Sequence, residues 1–143
     1  MPDALALTGR CYCGAVSLSA PDPLTVVYCH CSSCRRLSGA PVAAFAAFTE
    51  KAMAFNPPLG EPSFQKPGVT RWSCPTCSAQ LAATYDYLPD QIYVPIGLFD
   101  QADTLEPQVH AHAENQLPWL HLTDDLPRKA ASSRDVLNAA ADR

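Results

Sequence analysis

The stretch that decides the fold is Cys29-His30-Cys31-Ser32-Ser33-Cys34, in which three cysteines fall within six residues. Two further cysteine pairs, Cys11-Tyr12-Cys13 and Cys74-Pro75-Thr76-Cys77, stand on either side of it. All seven cysteines of the chain therefore belong to spaced clusters. Spacings of one or two residues let neighbouring sulfurs reach one ion, since a Zn–S bond is about 2.3 Å long. The sequence predicts metal sites.

The number of cysteines predicts two sites of different kinds, each holding one Zn²⁺. A closed structural zinc site takes four ligands, whereas a catalytic site takes three and keeps an open position. The cluster of Cys29, Cys31 and Cys34 is local enough to form a three-sulfur site by itself. The four-sulfur site would then combine the two distant pairs: Cys11, Cys13, Cys74 and Cys77. We expect this second site to be structural, because it would clamp the amino-terminal strand onto the middle of the domain.

Three other interpretations of the cysteines compete with zinc. A Cys-x-x-Cys pair can be a redox pair, but the βαβ pattern of a thioredoxin-like fold is missing here. Buried cysteines can serve as small hydrophobic side chains, although seven in spaced clusters are hard to explain in that way. Four thiolates also suit an iron–sulfur cluster. Zinc is the first choice and iron the second.

Length and composition indicate a single domain that works in the cytoplasm. The chain has 143 residues, and its 14 prolines favour short strands and shaped loops over long helices. A net charge of −4 offers no electrostatic drive for nucleic-acid binding. We expect no membrane span and no signal peptide, because no stretch is long and apolar enough. Cytosolic thiols stay reduced. Nothing in the sequence marks an oligomer interface.

Hydrophobic patterning predicts a mainly β, loop-rich domain of short antiparallel sheets over residues 1–128, with a tail over residues 129–143. Alternating and β-rich runs predict the strands. These runs are residues 10–19, 25–28, 42–48, 80–85, 91–96 and 108–113. In the first of them Cys11 and Cys13 would lie on one face of a strand. Residues 32–37 would form one helical turn, and the tail would form a short helix around Val136 and Leu137 or fray.

Short motifs surround the cysteine clusters: Gly9-Arg10-Cys11-x-Cys13-Gly14, Cys29-His30-Cys31-Ser32-x-Cys34-Arg35, Ser38-Gly39-Ala40-Pro41 and Arg71-x-x-Cys74-x-x-Cys77. Weaker motifs follow: Pro107-x-x-His110, and Pro118-Trp119 leading to Asp125-Leu126-Pro127. With these motifs the chain resembles the glutathione-dependent formaldehyde-activating enzyme family (Gfa-like, or CENP-V/GFA domain) over about residues 8–128.

The resemblance implies an Mss4-like, mainly β fold with one structural and one catalytic zinc, divided among the cysteines as the count divides them. It also implies carbon–sulfur chemistry, such as the addition of formaldehyde to glutathione to give S-hydroxymethylglutathione. The sequence departs from the family at Ser78, because glycine usually follows the second cysteine knuckle. The stretch between Phe48 and Arg71 matches the family poorly and could hold substrate contacts.

The chemistry expected of the three-cysteine site follows from its ligands. Three thiolates on Zn²⁺ leave an open position where a small thiol would lose its proton and become a nucleophile. Arg35 and Arg36 could receive substrate carboxylates, and the backbone at Ser38 and Gly39 could allow close approach of a ligand. Solvated surface charges and a simple turn explain these residues as well. The predicted catalytic activity is that of a zinc-dependent carbon–sulfur lyase or synthase.

The sequence also gives expectations for the orientation of the histidines, and it leaves two other classes of function open. His30 would point away from the metal in an extended run, and we expect only one of His110 and His112 to face a pocket. The domain could instead be a non-catalytic zinc module that binds a protein partner. The three-cysteine cluster could also be a thiol redox or metal-storage site.

Overall fold

The computed structural model describes residues 7–132 of the chain. Within these residues, ten strands form two sheets, and one α-helix, α1, spans Ser32–Ser38. The strands are β1 Leu7–Arg10, β2 Ser17–Ala20, β3 Thr25–Cys29, β4 Ala43–Thr49, β5 Ala54–Asn56, β6 Phe64–Lys66, β7 Val69–Ser73, β8 Gln80–Tyr85, β9 Gln91–Pro95 and β10 Val109–Ala111. Short 3-10 helices span Glu50–Ala52, Ile96–Leu98, Ala102–Thr104 and Ala113–Asn115. The prediction of a mainly β domain is confirmed.

The two sheets differ in size. The larger has seven strands in the order β10-β3-β4-β9-β8-β7-β6, and the smaller has three in the order β1-β2-β5. Neighbouring strands run antiparallel, as predicted, with the exception of β10 and β3. In that parallel pair His110 lies opposite Tyr28 and Ala111 lies opposite Cys29. The last strand is thereby placed beside the strand that leads into the 29–34 cysteine cluster.

Alternation along the central strand β4 produces two apolar layers. Ala46 and Phe48 belong to one buried cluster, and Phe45 and Ala47 belong to another. This period of two is expected for a strand that is covered on both faces. The first cluster also contains side chains of the small sheet, and the second contains Cys29. The three-cysteine cluster therefore sits against one of the two hydrophobic layers.

The small sheet packs closely against the 3-10 helix Ile96–Leu98 at Gly9. A Cβ atom on Gly9 would clash with the carbonyl oxygen of Leu98. The contact continues in a backbone hydrogen bond of 2.8 Å from the N–H of Asp100 to the carbonyl of Thr8. Glycine is required here because two backbones approach without room for a side chain.

Residues 10–19 do not form the single strand that the alternating pattern predicts. β1 ends at Arg10, β2 begins at Ser17, and the residues between them form a turn. Gly14 has a φ of 83°, which interrupts an extended backbone. The prediction that Cys11 and Cys13 share one face of a strand is therefore wrong, because both lie in this turn.

The described part of the chain contains no helix that could cross a membrane, since α1 has only seven residues. The helix predicted around Val136 and Leu137 lies outside the described residues. Residues 129–132 of the expected tail are described, and Lys129 is bonded to β10 through its N–H. The division between a domain over 1–128 and a tail over 129–143 stays a prediction.

Candidate metal centres and the cleft beside them

Four cysteines that are far apart in sequence meet between the two sheets. The sulfurs of Cys11, Cys13, Cys74 and Cys77 all lie within 4.8 Å of one another. The Sγ of Cys11 is 3.7 Å from that of Cys13 and 3.6 Å from that of Cys74. Tetrahedral coordination with Zn–S bonds of about 2.3 Å separates the sulfurs by about 3.8 Å. The donor set and its spacing fit a closed zinc site, and these residues could hold one ion.

Both turns that carry these cysteines direct backbone N–H groups at the sulfurs. In the first turn the N–H of Val16 donates to Cys11 Sγ and the N–H of Ala15 donates to Cys13 Sγ, each at 3.4 Å. The second turn repeats the pattern at Cys74 Sγ. Donors of this kind favour the thiolate over the thiol. The bond from Val16 is the main reason that the pKa of Cys11 falls to about 6.

The residue that departs from the family pattern has an unusual backbone conformation. Ser78 has a φ of 67°, in the left-handed region. Its N–H donates to the carbonyl of Cys74 at 2.9 Å and closes the second turn. A left-handed conformation costs a residue with a Cβ about 1–2 kcal/mol, whereas glycine adopts it freely. Cys77 keeps its place in the cluster despite this substitution.

The other three cysteines lie where β3 passes into α1. The Sγ of Cys29 is 3.5 Å from that of Cys31 and 3.3 Å from that of Cys34. Cys31 also caps the helix, because its Sγ accepts a hydrogen bond of 3.3 Å from the N–H of Cys34. Among residues 7–132 no fourth cysteine, histidine or carboxylate joins this cluster. The arrangement could hold a metal ion with one coordination position left for another ligand.

The three thiols of this cluster compete for a single negative charge. Hydrogen bonds from Cys29 and Cys34 lower the pKa of Cys31 to about 2. The bond with Cys31 raises the pKa of Cys29 to about 11, and the bond with Cys29 raises the pKa of Cys34. A bound divalent cation would remove this conflict, since coordinated thiols are deprotonated. The chemistry of the donor set therefore fits zinc.

A small cleft opens beside Cys29. It has a volume of about 50 Å³, and its walls include His112 and three tyrosines, Tyr85, Tyr87 and Tyr93. Burial raises the pKa of all three phenols, so that their hydroxyls stay protonated at neutral pH. The hydroxyl of Tyr93 already donates to Gln91 at 2.8 Å. The cleft could receive a group of a few heavy atoms and offer it hydrogen-bond donors.

Two arginines, Arg71 on β7 and Arg35 in α1, have no carboxylate partner among the described residues. The Cζ of Arg71 lies 5.6 Å from the centre of the Tyr85 ring. Arg35 follows Cys34 in α1, and its buried Nε has no hydrogen-bond partner in the described part of the chain. The ion pairs found between residues 7 and 132 belong instead to Asp124. Arg36 is exposed.

The other residues predicted to touch substrate have structural roles at the end of α1. The hydroxyl of Ser38 donates to the carbonyl of Cys34 at 2.8 Å and accepts from the N–H of Ala40 at 3.1 Å. Gly39 ends the helix with a φ of 74° and donates its N–H to the carbonyl of Arg35. Helix termination therefore accounts for both residues. Their contact with substrate stays a prediction.

His110 and His112 face different surroundings because β10 ends at Ala111 and His112 has a left-handed backbone with a φ of 54°. His112 lines the cleft, whereas His110 is fully buried. His30 points away from the three sulfurs, and its Nε2 lies 2.8 Å from the Nδ1 of His110. The ring of His110 in turn contacts Asp124. The sequence does not reveal this partner, because Asp124 lies in a segment without a periodic pattern.

The comparisons with known proteins agree with this geometry. The model of a family described as glutathione-dependent formaldehyde-activating enzyme (GFA) matches residues 6–115, which include all seven cysteines. A crystal structure of a Rhodobacter sphaeroides protein has a similar fold, with a TM-score of 0.52 and 20% sequence identity over 85% of this chain and 99% of that chain. No curated protein matches the sequence. The chain belongs to the glutathione-dependent formaldehyde-activating enzyme (GFA) family.

Proposed function

We propose that this protein is a zinc-dependent carbon–sulfur lyase or synthase that acts on the adduct of a small thiol with an aldehyde. The example that suits it best is S-hydroxymethylglutathione, formed from glutathione and formaldehyde. The observation that carries the proposal is the three-cysteine cluster, which has no fourth ligand among the described residues and adjoins a cleft at Cys29. Membership of the GFA family supports the same chemistry. A cytoplasmic location suits the seven free thiols.

The two cysteine clusters have different roles in this proposal, one structural and one catalytic. Four sulfurs close a tetrahedron and leave no position for a substrate, so the cluster of Cys11, Cys13, Cys74 and Cys77 is structural. It joins the turn after β1 to the turn after β7, which are 63 residues apart between Cys11 and Cys74. The cluster of Cys29, Cys31 and Cys34 carries the reaction.

The reaction needs an ionised thiol and a polarised carbonyl group. A zinc ion on the three cysteines would supply an open position at which a substrate thiol loses its proton. In the synthetic direction a sulfur–carbon bond forms, the carbon–oxygen double bond becomes single, and the thiol proton ends on oxygen. The lyase direction reverses each change. The protonated hydroxyls of Tyr85 and Tyr87 are available to stabilise the developing negative charge on that oxygen.

The surroundings of the cleft suit a substrate that carries carboxylates. The volume beside Cys29 admits the reacting group, so the body of a thiol such as glutathione has to lie outside it. A neighbouring surface cleft shares Phe45 and Tyr93 as walls and contains Arg71. The guanidinium of Arg71 has no carboxylate partner among the described residues and is therefore placed to receive one from the substrate, as Arg35 is on the side of α1.

Zinc stoichiometry and turnover together test the proposal. We expect about two zinc ions per wild-type chain by atomic emission and about one in Cys31→Ser with its fold retained. We also expect wild type to accelerate the exchange between formaldehyde, glutathione and S-hydroxymethylglutathione, measured by NMR, and Cys31→Ser to lose the acceleration. A wild-type protein with two zinc ions and no effect on any thiol–aldehyde exchange would refute the activity. A wild-type protein with no zinc at this cluster would favour the interaction module or the redox site.

Substrate recognition is tested by two matched variants. Arg71→Ala removes the guanidinium beside the cleft, whereas Lys66→Ala removes an exposed cation at the end of β6. We expect Arg71→Ala to raise KM for glutathione about tenfold or more, in line with the loss of one charge-assisted hydrogen bond. Lys66→Ala should leave KM unchanged. Equal KM values for both variants would contradict the role of Arg71.

A further inference from the structure

A continuous chain of hydrogen bonds runs from the protein surface to the middle of the three-cysteine turn. The Nε2 of His30 lies 2.8 Å from the Nδ1 of His110, and the Nε2 of His110 lies 3.0 Å from the Oδ2 of Asp124. Arg128 binds the other oxygen of Asp124, also at 3.0 Å. Both imidazoles are completely buried, whereas the side chain of Asp124 is 24% exposed. His30 stands between two of the three proposed ligands, Cys29 and Cys31.

Packing alone does not explain two imidazoles in this position. Burial of a polar group costs free energy unless the group is hydrogen-bonded, and an apolar side chain would fill the same space without that requirement. The Nδ1 of His30 has no partner among the described residues. The bond to His110 is therefore the polar contact that orients the His30 ring.

The carboxylate sets the order of donors along this chain. Partial burial raises the pKa of Asp124, but hydrogen bonds from His110 and the N–H of Leu126, together with the charge of Arg128, outweigh that effect and lower it. An ionised carboxylate only accepts hydrogen bonds, so His110 donates to it through Nε2. When His110 is neutral, its Nδ1 then accepts from the Nε2 of His30. With His110 neutral, both rings are thus fixed in one tautomer and one orientation.

We propose that Asp124 and His110 are positioning residues, which hold His30 and through it the turn that spaces the sulfurs of Cys29 and Cys31. This inference rests on the proposed zinc site. The turn is held from both sides. On one side the N–H of His30 also donates to the carbonyl of Ala111 in β10, at 3.1 Å. On the other side the sulfur of Cys31 caps α1.

The expected effect follows from the general role of residues that orient metal ligands without binding the metal themselves. Their removal weakens metal binding by about 10–100-fold, because the ligands lose a fixed orientation. Here the effect is confined to one site, since the hydrogen-bonded chain ends at the three-cysteine turn and makes no contact with the four-cysteine cluster among the described residues. The four-cysteine site is thereby an internal control within the same molecule.

The test compares the rates at which zinc passes from the two sites to a chelating dye. Asp124→Ala removes the outer end of the chain, and His110→Phe removes the middle while keeping a ring that can stack on Tyr28. Asp125→Ala is the matched control, because this neighbouring carboxylate is exposed and forms no ion pair in the described part of the chain. Cys31→Ser identifies the kinetic phase that belongs to the three-cysteine site.

We expect release from the three-cysteine site to accelerate about 10–100-fold in Asp124→Ala and His110→Phe, with the four-cysteine phase unchanged. Asp124→Asn keeps an oxygen that accepts from His110, so its rate should lie closer to wild type. Cobalt-loaded protein gives a second readout, since loss of tetrahedral geometry changes its absorption spectrum. Unchanged release in both variants, or equal acceleration at both sites, would overturn the inference.

The same measurement separates this inference from the proposed function. Two zinc ions in wild type with unaltered release in the variants would reject the positioning role and leave the three-cysteine zinc site intact. A single zinc in wild type would reject the site, and the positioning role with it. Neither result depends on catalytic turnover.

Discussion

Replacement of Ser78 by glycine is expected to stabilise the protein, although it alters a turn that carries two proposed zinc ligands. The φ of 67° costs a residue with a Cβ about 1–2 kcal/mol. Glycine avoids that cost but loses about 0.5–1 kcal/mol through its greater freedom in the unfolded chain. The hydroxyl of Ser78 is exposed and has no hydrogen-bond partner between residues 7 and 132, so its loss removes no contact there. The mid-range values of these two effects leave a net gain of about 0.75 kcal/mol.

For a chain of 143 residues, an unfolding entropy of about 2.1 cal/mol/K per residue converts this gain into a rise in Tm of about 2–3 °C. Thermal denaturation followed by circular dichroism at saturating zinc measures it, because zinc loss would otherwise change Tm by mass action. Ser78→Ala keeps the Cβ and should match wild type. Thr76→Gly, in the same turn but without a positive φ, should lower Tm. The reasoning fails if Ser78→Gly is no more stable than Ser78→Ala.

Gly9→Ala should destabilise the fold by about 1–3 kcal/mol in urea denaturation, because its methyl group meets the backbone carbonyl of Leu98. Wild-type stability in that variant would contradict the close approach. Cys74→Ala should largely unfold the protein, since a structural zinc contributes about 10–16 kcal/mol that is coupled to folding; a soluble, zinc-replete variant with cooperative unfolding would argue against it. The lowered pKa of Asp124 contributes stability that is present above its unfolded pKa of about 3.9 and is lost as pH falls through the lower folded value. Urea midpoints should therefore fall more steeply below about pH 4 for wild type than for Asp124→Asn, and parallel pH profiles would count against this contribution.

The ligand groups could be predicted from sequence because ligand spacing is a local property. The three-cysteine cluster lies within six residues, and the remaining cysteines form two close pairs. The structure brings them together in the predicted combination. The conformation of the first pair could not be predicted, since the run after Arg10 alternates like a strand. Gly14, with its positive φ, and the N–H groups directed at the sulfurs make it a turn instead.

Contacts between segments that are distant along the chain could not be predicted from the sequence, because no local pattern marks them. Asp124 lies 14 positions after His110 along the chain, and no periodicity marks the pair. The parallel alignment of β10 with β3, which carries His110 to His30, also has no local signal. In the sequence, Arg71 is marked only by its place in the family motif that contains Cys74 and Cys77. Its place over Tyr85 depends on the register in which β7 pairs with β8.

The segment that follows Asp124 also determines how the large sheet ends. β10 is the outermost strand, and residues 127–131 run beside it as a partial cover. The N–H of His110 donates to the carbonyl of Pro127, and the carbonyl of His110 accepts from the N–H of Lys129. An open strand edge is a template on which another copy of the chain can add, and proteins aggregate along such edges. Loss of the chain beyond residue 126 would therefore cost the protein its resistance to edge-to-edge aggregation, even with every cysteine still in place.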